Sequence, residues 1–347
     1  MELTEKGIYT RNEILSQPES WKATLIQLKQ DWNGKLPDVK KYDHVIFTGC
    51  GSTYYLSIWA SRLLQKELGI SSQALPASEL WYALQEWTAP FKRILLVAIS
   101  RSGETTETLH AVDEFQKNKC GDVLAVTCYP ESKLAKKPII TLSIPAGQEE
   151  SVAQTRSFSN MMLAVLSLIN GGIPEELPQK IFESAKSLID TYANTVQTIG
   201  KDFRNTNFFF LGNGPLIGLA NEAMLKMKEM SLSYSEAFHF MEFRHGPMSM
   251  VNSQSLVIGL TSSLIDEYEL PVLKDMKDLG AEILAIGSKK VLKVNGYGHA
   301  IELPDDIPQF WQYPFYLPLL QLMAYERSLS KGLNPDKPEN LTAVVEL

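Results

Sequence analysis

The apolar and polar blocks of this chain give one signature twice. Residues 44–56, HVIFTGCGSTYYL, run from a short apolar block through a Gly-x-Gly turn into a helical pattern, SIWASRLLQKEL. Residues 207–219, NFFFLGNGPLIGL, repeat that order and continue into ANEAMLKMKEMS. After the first block comes RILLVAISRSGETTETLHAVDEFQKNKCGDVLAVTC, which predicts strand, hydroxyl-rich turn, helix, Gly-containing turn and strand. After the second comes SLVIGLTSSLIDEYELPVLKDMKDLGAEILAIGS, with the same succession. Ser100 lies 51 residues beyond Gly49, and Thr261 lies 49 beyond Gly212. Two units of like order and length predict a duplicated α/β lobe. Strands that read as continuous Val/Ile/Leu runs, with helices between them, predict parallel sheets covered on both faces. Ligands in such sheets gather at the carboxyl ends of strands, where both turns fall.

The expected plan is a helical segment over residues 1–40, a first lobe over 41–175, a second over 176–330 and a tail over 331–347 that closes the site. The boundary follows the Pro and Gly content of GGIPEELPQ, residues 171–179. The two copies differ in their turns. The first keeps Ser100, Arg101, Ser102 and Thr105, whereas the second has Thr261, Ser262 and Ser263 followed by acidic IDEYE, which repels an anion. An anion site is therefore expected in the first lobe.

Composition narrows the classes. Hydrophobic residues make up 44% and charged residues 21% of 347, a globular balance that excludes a disordered chain. No apolar run reaches the roughly 18 residues of a membrane span, and the polar start MELTEKGIYTRNE is no secretory signal. A net charge of -7 argues against nucleic acid as the main partner. Three scattered cysteines and five histidines without HxxxH spacing give neither a disulfide framework nor a metal site. The expectation is a cytoplasmic protein with no metal and no cofactor.

The segment ISRSGETTET, residues 99–108, carries the first candidate chemistry. Gly103 allows close backbone approach, Ser100, Ser102 and Thr105 supply hydroxyls, and Arg101 supplies a fork matched to an oxyanion. Ser52 and Thr53, after the Gly-x-Gly turn, stand on the neighbouring strand end. A Ser/Thr cluster at a helix start serves equally well as an N-cap. Lys226 and Glu229, three apart, share a helix face, and as a surface ion pair they would contribute well under about 1 kcal/mol. His245 before Gly-Pro also reads as a turn histidine satisfied by backbone.

Order and spacing together go further. TGCGST, ISRSGETTET, EESVAQTRSF, LKMKEMSLSYSEAF, EFRHGP and the tail GLNPDKPENL resemble, in that order over nearly the whole chain, the SIS (sugar isomerase) family. Within it they resemble the isomerase half of glucosamine-6-phosphate synthase and stand-alone glucosamine-6-phosphate deaminase/isomerase relatives. The resemblance implies two tandem doubly wound parallel-sheet lobes, each a flavodoxin-like three-layer sandwich. It implies that Ser100, Arg101, Ser102 and Thr105, with Ser52 and Thr53, bind a sugar phosphate. Glu229 becomes the catalytic base, Lys226 its companion, and His245 the ring-opening group, which reaches the partner's site in a homodimer. Val152, Gln154 and Thr155 become loop contacts. Carboxylate and imidazole suit enediol chemistry, the one moving a proton between C1 and C2 and the other serving the ring oxygen.

Three departures shape the functional reading. The synthase's glutaminase half, with its nucleophilic cysteine, has no counterpart before the isomerase motifs, so glutamine-dependent amination is not expected of this chain. The tail lysine that forms a Schiff base in the synthase aligns with Ala343, and Lys337 or Lys331 could replace it only if the tail is shifted. Arg101 stands where the synthase has a neutral amide, adding a planar cation that suits a phosphate or a singly charged sulfonate. The first reading is an aldose–ketose isomerase of a hexose with an anionic C6 group, a phosphate or a sulfonate as in sulfoquinovose, acting through a cis-enediol. A glucosamine-6-phosphate-type deaminase and a non-catalytic sugar-phosphate sensor are the alternatives.

Overall fold

The computed structural model describes residues 6–32, 36–137, 140–262 and 266–342. In chain order the elements are α1 (Ile8–Leu15), α2 (Gln17–Trp32), β1 (His44–Gly49), α3 (Ser52–Leu68), β2 (Ser72–Pro76), α4 (Ala77–Tyr82), α5 (Leu84–Thr88), β3 (Ile94–Ile99), α6 (Thr106–Lys117), β4 (Gly121–Thr127), β5 (Ile140–Ser143), α7 (Arg156–Asn170) and α8 (Leu177–Lys201). The second half follows with β6 (Asn207–Gly212), α9 (Leu216–Ser231), β7 (Tyr234–Phe238), α10 (Phe240–Phe243), β8 (Ser255–Leu260), α11 (Asp266–Asp278), β9 (Glu282–Gly287), β10 (His299–Glu302) and α12 (Leu317–Ser330).

Each half builds a five-stranded, wholly parallel sheet. The first has the order β2-β1-β3-β4-β5 and the second β7-β6-β8-β9-β10, which is the same order with five added to each number. This is the flavodoxin-like winding, in which strand order reverses between the first and third strands. The apolar runs predicted as strands are the central ones: β1, β3 and β8 are buried along their whole length. Ile46, Leu96, Ala111 and Phe115 join one apolar core in the first lobe, and Val257, Leu273, Met276 and Ile283 join one in the second.

The chain divides into two compact units that are not contiguous in sequence. One holds Gln17–Glu149, Arg156–Phe182 and the residues from Thr342 onward; the other holds Met1–Ser16, Glu150–Thr155 and Glu183–Leu341. These borders differ from those expected at 40, 175 and 330, and hydrogen bonding gives the reason. In α1, the Thr10 N–H and Oγ1 both donate to Asp336 Oδ1 at 2.8 Å, and Glu13 accepts from Glu150 and Ser151. α2 bonds elsewhere: Trp21 Nε1 donates to Ser159 Oγ at 2.7 Å and Thr24 Oγ1 to Asn160 Oδ1 at 2.6 Å, both on α7. The expected helical segment 1–40 is thus shared between the units, and the second border falls inside α8.

Asn160 is fully buried, and its amide also donates to Ser20 Oγ at 2.9 Å and to Arg156 O at 2.7 Å. Removing it takes the partner from the buried Thr24 hydroxyl and removes two further bonds at the α2–α7 contact. Asn160→Ala is expected to cost about 2–4 kcal/mol, read as a lower urea midpoint with an unchanged m-value.

Candidate active site

The first lobe reverses its strand order between β1 and β3, whose paired residues Thr48 and Ala98 bring the two following turns side by side. Two helices begin there, α3 at Gly51 and α6 at Thr105, and neither has a side-chain cap. At the start of α3 the N–H groups of Thr53, Tyr54 and Tyr55 are taken by Cys50 O and Gly51 O, at 3.2, 3.0 and 3.1 Å, so the turn itself answers them. The hydroxyls shape the loop rather than cap the helix. Ser100 Oγ accepts the Gly103 N–H at 3.1 Å and lies 3.2 Å from Thr105 Oγ1; Ser102 Oγ accepts the Glu104 N–H at 3.1 Å, which leaves its own hydrogen to donate. Thr53 is spent locally, because its Oγ1 both accepts from Cys50 N and donates to Cys50 O at 2.9 Å. It braces the Gly-x-Gly turn, and Gly49 is required there, since a Cβ would stand 2.5 Å from Thr53 Oγ1. Burial pushes the neighbouring Cys50 thiol up to about 11, so it stays protonated at neutral pH.

Arg101 departs from the sequence expectation of an open oxyanion fork. Its Nη1 lies 3.3 Å from Glu149 Oε2, and the two side chains are 8% and 0% exposed. Glu149 also takes the Ser157 N–H in the first turn of α7, and its carbonyl takes the Tyr129 hydroxyl. The guanidinium charge is balanced from within and anchors the turn, so it does not add a bare positive charge. Nothing near Arg101 in sequence announces a partner 48 residues away.

The second lobe has the same switch point between β6 and β8, and it is filled. Thr261 N donates to Ile286 O at 2.8 Å just as Ser100 N donates to Val126 O at 3.0 Å, which puts the two turns in equivalent register. Glu269 of the acidic run is fully buried; one carboxylate oxygen takes the Ser262 N–H at 2.7 Å and the other takes Asn213 Nδ2 at 3.0 Å. A carboxylate of the chain occupies the place that an external anion would take. Ser263, quoted with Thr261 and Ser262, lies outside the described residues.

On α9, Lys226 is 1% exposed and makes ion pairs with two carboxylates, Glu229 one turn on and Glu222 one turn back, the latter at 3.4 Å. This is no surface pair. Burying an ammonium is sustained only by paired carboxylates, and Glu222, fully buried, is the member that the sequence reading passed over although its i,i+4 spacing was visible. Glu229 is 18% exposed, which leaves the outer carboxylate within reach of a substrate. Lys331 caps the helix end, donating to Ser231 O at 2.6 Å and Leu232 O at 3.0 Å, and burial lowers its pKa. That engagement removes it as a stand-in for the tail lysine; Ala343 itself lies outside the described residues. His245 is exposed, its backbone N–H bonded to Glu242 O. Val152, Gln154 and Thr155 lie on the loop between η-turn Pro145–Gly147 and α7: Val152 N donates to Asp336 O, and Thr155 O accepts from Gln321 Nε2. Among the described residues, no group of three or more His, Cys, Asp or Glu could hold a metal ion.

Two flavodoxin-like, wholly parallel five-stranded sheets define the class as doubly wound α/β. Residues 39–171 match the family model described as the SIS domain. The glutamine–fructose-6-phosphate aminotransferase (isomerizing) of Sulfurisphaera tokodaii is 30% identical over 339 residues, 96% of this chain and 55% of that protein. The chain spans about half the length of the curated relatives it matches. Among solved structures, glucosamine-6-phosphate deaminase from Thermotoga maritima superposes with a TM-score of 0.75 at 29% identity, covering 96% of this chain and 100% of that one. Tagatose-6-phosphate ketose/aldose isomerase from Escherichia coli reaches 0.86 at 24% identity over 96% of both chains, and shares the fold.

Gly103 has φ +65°, and a Cβ there would stand 2.1 Å from Ser132 Oγ and 2.5 Å from Ser132 Cβ. Gly69 has nearly the same φ, +66°, in open space. Gly103→Ala should therefore destabilise by about 2 kcal/mol or more, against about 1 kcal/mol for Gly69→Ala. Denaturant midpoints of the two variants provide the check, and equal losses would show that the Ser132 contact does not constrain the turn.

Proposed function

We propose that the protein is an aldose–ketose isomerase for a hexose with an anionic group at C6, a 6-phosphate before all others. The observation that carries the reading is the half-buried Glu229 carboxylate held by a buried lysine that a second buried carboxylate balances. A carboxylate held in place by an ion pair and sheltered from bulk water is the kind of base that an enediol mechanism needs. The three relatives' names, fructose-6-phosphate, glucosamine-6-phosphate and tagatose-6-phosphate, share a hexose 6-phosphate.

In this mechanism the turn after β3, with the Ser100, Ser102 and Thr105 hydroxyls and Ser52, holds the C6 anion. Glu229 removes the C2 proton of the open-chain aldose, giving a cis-enediol as O1 gains a proton. The O2–H proton then leaves as C2 becomes the carbonyl, and Glu229 returns its proton to C1. No oxidant or reductant enters, because the two carbons exchange oxidation levels. Lys226 orients Glu229 through their ion pair. His245 moves the proton between the ring oxygen and O1 during opening, and its exposure in the single chain suits service in a partner's site. Arg101, balanced by Glu149, acts as an anchor, so the charge argument for a sulfonate weakens while the hydroxyls still accommodate one.

A second reading, a glucosamine-6-phosphate-type deaminase, draws on the full-length similarity at 29% identity to the Thermotoga maritima structure. A panel of 6-phospho and 6-sulfo hexoses, followed for ketose formation and ammonia release, separates the two. Ketose without ammonia is the expected result, and ammonia from glucosamine-6-phosphate at a comparable rate would install the deaminase.

Glu229→Gln is expected to lower exchange of the C2 proton with solvent by about 10²–10⁴-fold while sugar binding persists; exchange at the wild-type rate would place the base elsewhere. The homodimer has its own test. Mixing Glu229→Gln chains with His245→Ala chains should restore part of the activity, since hybrids assemble one intact site. A monomer at micromolar concentration by light scattering would refute the shared site.

A further inference from the structure

We infer that Glu13, on α1, is a positioning residue for the loop Glu150–Thr155, fixing the backbone from which Val152 and Gln154 meet the sugar. The inference rests on the proposed function, which makes this loop a substrate contact. Glu13 is 3% exposed. Its Oε1 takes the N–H groups of Glu150 at 2.6 Å and Ser151 at 3.2 Å, and its Oε2 takes the Ser151 hydroxyl. Three donors converge on a side chain that, ionised, only accepts. Such charge-assisted bonds are the strong class, and they offset the burial of the carboxylate.

The same helix is itself held from the far end of the chain. Thr10, three residues before Glu13, gives both its N–H and its hydroxyl to Asp336 Oδ1, and the Asp336 carbonyl takes the Val152 N–H at 3.1 Å. Gln321 on α12 then holds the Thr155 carbonyl at 3.2 Å. Glu150, Ser151, Val152 and Thr155 are thus tied to α1, to α12 or to the segment after α12. Between these ties, Gln154 Oε1 is buried with no hydrogen-bond partner among the described residues. A buried amide oxygen left in that state costs free energy that a donor hydroxyl recovers, and a sugar is rich in such hydroxyls. One amide meets one hydroxyl productively only if its backbone is held within a fraction of an ångström. Glu13 is placed to do that from outside the substrate's reach.

Glu13→Gln keeps the size and turns one acceptor into a donor facing donors. Two measurements on the full chain test it: amide hydrogen exchange at 150–152, and binding and turnover of a hexose 6-phosphate. Exchange at 150–152 should quicken by about tenfold or more, KM and the calorimetric Kd should rise by about tenfold, and kcat should stay within about threefold. A purely structural glutamate would lower the melting temperature and leave KM of the folded enzyme unchanged. Should Glu13→Gln fail to fold, Ser151→Ala and Thr10→Val, which each remove one tie, are read in the same way with smaller shifts. Exchange and KM both at wild-type values in a folded variant overturn the inference. Wild-type protein that neither binds nor converts any C6-anionic hexose overturns the functional reading instead, and takes the loop's substrate role with it.

Discussion

A helix that starts at the carboxyl edge of a parallel sheet leaves its first N–H groups without partners, and something must answer them. Both lobes of this protein meet that demand at the same place in the same winding, yet differently. In the second lobe, Glu269 bends back to the Ser262 N–H and the Asn213 amide, so the chain supplies its own anion. In the first lobe α3 and α6 begin without side-chain caps, the N–H groups of α3 are taken by Cys50 O and Gly51 O, and Ser102 keeps a hydroxyl hydrogen to donate. The two turns differ in that a carboxylate from the next helix is bonded back to the second lobe's turn.

Buried charge marks the other functional places. Arg101 with Glu149, Lys226 with Glu222 and Glu229, and Glu13 with the loop amides are each withdrawn from water and each matched. Replacing such groups with apolar residues is often neutral or stabilising, so stability does not explain them. They share a geometric effect instead: each fixes a segment that the proposed reaction uses, namely the hydroxyl turn, the base helix and the substrate loop.

How much of this was legible depended on how far apart the partners lie. The duplicated α/β plan, both turns and the side-by-side placement of Ser52 with Ser100 could be read from apolar runs and glycines, because strands, turns and helices answer to local pattern. The Lys226–Glu229 pair was legible as spacing but not as burial, which depends on what packs over α9. The ion pair of Arg101 was not legible, since its partner stands 48 residues on. The unit borders escaped for the same reason: Glu13 reaches 138 residues to Ser151, and Thr10 reaches 326 to Asp336. Such long-range side-chain bonds leave no mark in the local periodicity.

Duplication makes the functional divergence measurable within one chain. Counted from the Gly-x-Gly turn, the positions of Glu222 and Lys226 in the second lobe are those of Trp59 and Leu63 in the first. All four side chains are buried, two as apolar core and two as an ion pair. The apolar version is what the fold asks of a helix lying on a parallel sheet. The charged version departs from it on one helix only, and that helix ends on the Lys331 cap. Local rules broken at one copy and kept at the other are the mark of a site under functional demand. By the same comparison, the first lobe keeps an apolar helix at these positions, whereas the second carries a buried ion pair there and bonds the Glu269 carboxylate back to its own turn.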